Sequence, residues 1–146
     1  MKTAMLAGVV ALTVACTAAR GGSEPVEMST IAHGSYATAE SRTAELATTD
    51  AEYRRLWRER IEESEGRPTD VDFSDGVVVF LFAGSRSTGG WSVEPQSVKV
   101  EEDGTAIITA RVQGPKTGGM VTQALTSPFA VVLIRDRQVR KVRWAE

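Results

Sequence analysis

VVVFLFA, residues 77 to 83, is apolar at every position. A strand exposed on one face alternates apolar and polar side chains, so an uninterrupted run of this length calls for cover on both faces and a central place in a sheet. The run opens at once into GSRSTGGW, residues 84 to 91, with three glycines ahead of a tryptophan. Such a stretch after a buried strand can be a phosphate cradle, a nucleophile loop, a binding lip or a plain hairpin turn.

Toward the C-terminus the extended pattern continues. Trp91 and Val93 alternate with Ser92 and Glu94, while Val98 and Val100 alternate with Lys99 and Glu101. The two sets differ in parity, which predicts a bulge near Pro95-Gln96. Asp103-Gly104 is a strong hairpin signal, and the returning strand places Ala106, Ile108, Ala110 and Val112 on one face. Gly114 to Gly119 forms a second glycine stretch. After Ser127-Pro128 another uninterrupted apolar strand runs from Phe129 to Ile134, and Arg135-Asp136 turns the chain into a last strand ending in Val142 and Trp144. The basic residues Arg135, Arg137, Arg140, Lys141 and Arg143 along this tail read as a solvated edge.

Toward the N-terminus, residues 29 to 48 show weak alternation consistent with two short strands around Gly34-Ser35. Thr49-Asp50-Ala51-Glu52 is a capping-box pattern, after which Tyr53, Leu56, Trp57 and Ile61 fall on one face at helical spacing. Gly66 and Pro68 end that helix, and Ser74-Asp75-Gly76 turns the chain into the buried run. The predicted fold is α+β: an antiparallel β-sheet of five or more strands with one amphipathic helix packed on it, in a single domain over residues 29–146.

Residues 1–15 read as a signal peptide of the lipoprotein type: Lys2, then a near-continuous apolar run from Ala4 to Ala15 that is too short to span a bilayer. It ends on a relaxed lipobox, Leu12-Thr13-Val14-Ala15-Cys16, with Thr13 in place of the usual Leu. Cys16, the single cysteine, is then the lipid attachment site, and residues 16–28 are a flexible tether. The alternative is an ordinary signal with a stray cysteine. The lipoprotein reading implies export and lipid anchoring to a bacterial cell envelope, at the periplasm or the outer-membrane face. With 17 basic against 19 acidic side chains and a net charge of −2, the chain lacks the basic clustering of a nucleic-acid binder.

The chemistry of the glycine stretches narrows by elimination. Gly84 and Gly89 have the spacing of a phosphate loop, but Gly90 and Trp91 stand where Lys and Ser or Thr are required. Ser85, Ser87 or Thr88 as a nucleophile needs a neighbouring base, and the single histidine, His33, lies far off in sequence and reads as a solvated surface residue. One histidine and an acylated cysteine cannot furnish a zinc site. Asp70 to Gly76 faintly follows a calcium-loop pattern, but Leu81 occupies the position of the bidentate Glu, so these aspartates read as turn residues. No catalytic residue, metal or cofactor is expected, and the chain reads as no enzyme. What remains is a choice between two hairpin connections and a binding lip, in which glycines expose backbone donors and acceptors beside an aromatic.

The segment from Val71 to Ile134 resembles the C-terminal domain family named after PrcB, a protease complex subunit. The likeness rests on Asp72-Phe73, the apolar strand Val77 to Phe82 ending in Gly84, Ser87-Thr88-Gly89-Gly90 followed by an aromatic, the Pro115 to Gly119 loop, Val121-Thr122-Gln123 and Pro128-Phe129; the upstream helix with Leu56-Trp57 also fits. It implies an exported, often lipid-anchored, non-catalytic domain that binds a protein or peptide partner, such as a surface protease or another envelope protein. On this reading the contacts are Thr88, Gly89, Gly90, Trp91, Thr122, Gln123 and Phe129. A second likeness, to chagasin-like inhibitors of cysteine proteases, pairs three exposed loops with Arg86 to Trp91, Gly114 to Gly119 and Ser127-Pro128-Phe129, though the first lacks its Asn-Pro and the third its Arg. A structural envelope lipoprotein with no specific ligand is the third alternative.

Overall fold

The computed structural model describes residues 26–145. The signal segment, Cys16 and the tether as far as residue 25 lie outside the described residues, while Val26 and Met28 already pack on the core. Seven strands and one α-helix follow in the order β1 (Met28–Gly34), β2 (Thr43–Ala47), α1 (Asp50–Arg60), β3 (Val77–Phe82), β4 (Ser92–Val100), β5 (Thr105–Gln113), β6 (Phe129–Ile134) and β7 (Lys141–Ala145).

The strands form two sheets, β1-β6-β3-β2 and β4-β5-β7. The four-stranded sheet is antiparallel throughout, whereas β7 joins β5 in parallel. This corrects the expectation of one antiparallel sheet of five or more strands. The physical reason lies in β3 itself, since one 11-residue helix can cover only one of its faces. Val78, Phe80 and Phe82 point into a cluster with Tyr53, Leu56, Trp57 and Ile61 of the helix side. Val77, Val79 and Leu81 point the opposite way, against Val93 and Val98 of β4 and Ala106, Ile108 and Ala110 of β5. β6 divides likewise, with Val131 and Leu133 toward the helix and Ala130, Val132 and Ile134 toward the second sheet. The molecule is therefore helix on sheet on sheet, and the continuous apolar runs are those of the middle layer. Each fully buried Val, Leu, Ile or Phe contributes about 1.5–3 kcal/mol, so β3 and β6 dominate the stability.

Two pairings departed from simple hairpin order. β1 and β2 do not pair with each other; they flank opposite edges of the first sheet because β6 and β3 lie between them. β7 does not return along β6, whose two edges are taken by β1 and β3, but crosses to β5, where the Trp144 indole N–H donates to the Ala110 carbonyl (3.0 Å). The bulge falls where parity placed it, between Pro95 and Ser97, and Gly104 turns the β4–β5 hairpin with φ of 85°.

Thr49 caps α1, accepting the Glu52 N–H (3.2 Å), while the Glu52 carboxylate accepts both the N–H (2.8 Å) and the hydroxyl (3.0 Å) of Thr48. The helix then anchors the segment that follows it. Tyr53 donates its hydroxyl to the Thr69 carbonyl (3.0 Å), and the Trp57 indole N–H donates to that of Gly66 (3.1 Å). Arg60 closes the far end with a bidentate pair to Glu45 of β2 (2.9 and 2.7 Å).

The Thr48 hydrogen bonds hold the Glu52 carboxyl below its ordinary value of 4.5. A depressed folded-state pKa contributes stability above the unfolded value and loses it as pH falls through the folded one. Wild type is therefore expected to exceed Glu52→Gln in urea unfolding by a constant margin above about pH 4.5, a margin that shrinks in more acidic buffer. A margin that widened on acidification would contradict this capping account.

Candidate functional site

At the end of β3 the chain must pass the segment before β2. Gly84 adopts φ of 85°, and a Cβ there would stand 3.0 Å from the backbone of Glu40 and Ser41, so only glycine makes this passage. The Ser85 N–H donates to the Glu40 carbonyl (3.0 Å). Beyond it the first glycine loop leaves the sheet and meets the second, residues 114–126.

The two loops are joined by backbone. Arg86 and Thr126 exchange a pair of hydrogen bonds (2.7 and 2.9 Å), and the Gly89 N–H donates to the Thr122 carbonyl (2.9 Å). The Thr126 hydroxyl donates to the Thr88 carbonyl (2.8 Å) and is itself buried. Gly90 has φ of 85° and lies against Pro115 and Val121, where a Cβ would approach Pro115 Cβ to 2.9 Å. The ring of Trp91 lies against Gly114, whose hypothetical Cβ would be 3.2 Å away. The Arg86 guanidinium sits 4.6 Å from the ring centroid, within cation–π range.

Thr88, Gly89, Gly90, Trp91 and Thr122 thus share one surface, with Gln123 exposed beside Thr122. Phe129 does not belong to it. Only 1% exposed, it packs edge-on against Trp57 (centroids 6.4 Å, 86°) in the helix-side core, because β6 enters the middle layer at that residue. Ser127 and Pro128 are buried as well, with the Ser127 hydroxyl donating to the Ala39 carbonyl (2.7 Å). The third exposed loop of the chagasin-like comparison therefore has no counterpart here.

Sequence reasoning missed two contributors. Met120 and Leu125 are 103% and 79% exposed on the second loop, a length of chain otherwise rich in glycine and threonine. The available signal was an apolar pair within a polar loop, which a core-oriented reading passes over. Also missed was a cleft of about 480 Å³ beside Trp91, lined by Arg42, Arg86, Gln96 and the Thr109–Val112 stretch of β5. His33, by contrast, is exposed on edge strand β1 opposite Ala130, and Asp72 accepts the Ser74 N–H (2.9 Å) as a turn residue.

Residues 77–135 match the family described as PrcB C-terminal. Over these residues the chain is similar to the PrcB C-terminal family. The PrcB C-terminal segment runs from the start of β3 to just past β6 and so contains both glycine loops and every residue that joins them. Outside it lie β1, β2 and α1, which close the helix-side core, and β7. No curated protein and no solved structure matches the chain.

Proposed function

We propose that this chain is a non-catalytic envelope domain that docks a protein or peptide partner on the joined glycine loops, with a subunit of a surface protease complex as the partner class suggested by its family. The observation that carries this reading is the union of the loops. Four hydrogen bonds, two of them between Arg86 and Thr126, fix an irregular surface at one end of a rigid three-layer body. Trp91 and the exposed Met120 and Leu125 supply apolar area there, and an aromatic held by its neighbours is the usual centre of a binding hot spot. Loops carried on a rigid scaffold are also where binding function concentrates.

Attachment to the envelope is proposed through acylation of Cys16, on the strength of the apolar run and small residue before it. The lipid would set location, and the loops would set partner choice.

The test is affinity capture from envelope extract with wild type and Trp91→Ala, both checked for equal thermal stability. Loss of a buried hot-spot tryptophan costs about 2–4 kcal/mol, so recovery of the specific partner is expected to fall by about thirtyfold or more. Equal recovery of every captured protein by the two would leave a purely structural domain as the better account.

A further inference from the structure

We propose that the cleft beside Trp91 receives a carboxylate carried on a short aliphatic stem, with Arg86 as the group that holds it. This rests on reading the joined loops as a polypeptide docking surface, and it names the chemistry that the surface selects. The carrier is either an acidic side chain in an extended peptide or a peptide's C-terminal carboxylate.

Arg86 carries the argument. Its backbone is held by the paired hydrogen bonds to Thr126 (2.7 and 2.9 Å), and its guanidinium carbon lies 4.6 Å from the Trp91 ring centroid. Yet Nε is buried with no acceptor, and the one hydrogen bond of the side chain, from Nη2 to the Ala83 carbonyl, is long at 3.4 Å. Among the described residues Arg86 has no ion-pair partner. A buried guanidinium donor without an acceptor is costly and uncommon in a folded protein, and a site that awaits an acceptor accounts for it. A small rotation about the outer bonds of the side chain would present the Nε–Nη2 edge, whose paired donors match the two oxygens of a carboxylate.

The surroundings agree with this. Arg42 and Arg111 line the same cleft. Arg111 reaches Glu94 only at 3.3 Å on an exposed edge, and Arg42 lies 4.2 Å over the Trp144 ring. Three guanidinium groups therefore surround one opening in a chain of net charge −2. The other walls are Trp91, Ala110 and Val112, with Gln96 and Thr109 as polar neighbours. An apolar wall favours a carboxylate on a carbon stem over a bare phosphate, and about 480 Å³ accommodates one side chain or chain end.

The experiment titrates the full chain with synthetic peptides, reading the Trp91 indole and Arg86 Nε–H signals by NMR. The probes are acetyl-Ala-Val-Glu-Val-Ala-amide, its Gln counterpart, acetyl-Ala-Val-Ala-Val with a free C-terminus, its amide, and inorganic phosphate. One carboxylate peptide, identifying the carrier, is expected to shift both signals and to bind about tenfold or more tightly than its neutral counterpart. Arg86→Met should abolish that preference with little change in melting temperature, because removal of the buried unpartnered Nε offsets loss of the Trp91 contact and the long Ala83 hydrogen bond, and Arg86→Lys should retain only part of it. Equal binding of charged and neutral peptides, phosphate binding as tight as the peptide, or a preference that survives in Arg86→Met overturns the proposal. The two readings fail separately. If Arg86→Met still captures the envelope partner that Trp91→Ala loses, the carboxylate site falls and the docking surface stands. If carboxylate binding persists while Trp91→Ala captures every partner normally, the docking surface falls instead.

Discussion

Phe80→Ala is expected to lower the unfolding free energy by about 3–5 kcal/mol, measured by urea denaturation. Phe80 is 0% exposed at the centre of the middle sheet. Its ring lies 5.8 Å from that of Tyr53, 6.4 Å from Trp57 and 6.1 Å from Phe82, so truncation opens a cavity where helix and sheet meet. Aromatic pairs of this kind add about 0.5–1.5 kcal/mol beyond burial, which places the expected value in the upper half of the range. Against a total of about 5–15 kcal/mol for a domain, such a loss removes about a fifth of the stability or more. The melting temperature should fall by about 10–20 °C. Leu125→Ala, at a site 79% exposed, should change neither by a measurable amount, because no buried contact is lost. A Phe80→Ala loss below about 1 kcal/mol would mean that helix and sheet are not packed through this ring.

Much of this architecture was legible because its signals are local. The capping pattern at Thr49 to Glu52 and the spacing of Tyr53, Leu56, Trp57 and Ile61 defined α1 and its buried face, and parity located the bulge at Pro95. Val77 to Phe82 announced cover on both faces. What it could not announce was the nature of the second cover, since an apolar side chain packs equally against a helix or another sheet. The split into two sheets and the parallel β5–β7 pairing depend on which strand edges remain open after β1, β3 and β6 have assembled, and no local window contains that information.

The site shows the same division. Thr88 to Trp91 and Thr122 could be singled out by residue type, and their meeting follows from backbone hydrogen bonds across more than thirty positions of sequence, such as that from the Gly89 N–H to the Thr122 carbonyl. Phe129 was misplaced because an aromatic after a proline at a loop end looks the same whether it turns outward or starts a buried strand. Arg86 went unnoticed as a site residue because its distinguishing property, a buried Nε with no acceptor, exists only after folding.

The central claim is that the two glycine loops act only when joined, and Gly90→Val tests it most directly. Gly90 sits at φ of 85°, a conformation that a β-branched residue resists, and the new Cβ would meet Pro115 Cβ at 2.9 Å. Positive φ in a non-glycine residue costs about 1–3 kcal/mol, and Pro115 is a rigid neighbour that cannot swing away. The least costly escape is separation of residues 88–91 from 115–122, which breaks the Gly89–Thr122 hydrogen bond and moves Trp91 off Gly114. The core clusters around Phe80 and Val79 take no part in this, so the three layers should remain folded. The decisive measurement is capture of the envelope partner by Gly90→Val, alongside its melting temperature and near-ultraviolet circular dichroism. The expected result is a folded domain that has lost its partner about tenfold or more. Undiminished capture by a Gly90→Val domain whose Gly89 and Thr122 amide signals show the loops parted would contradict the account.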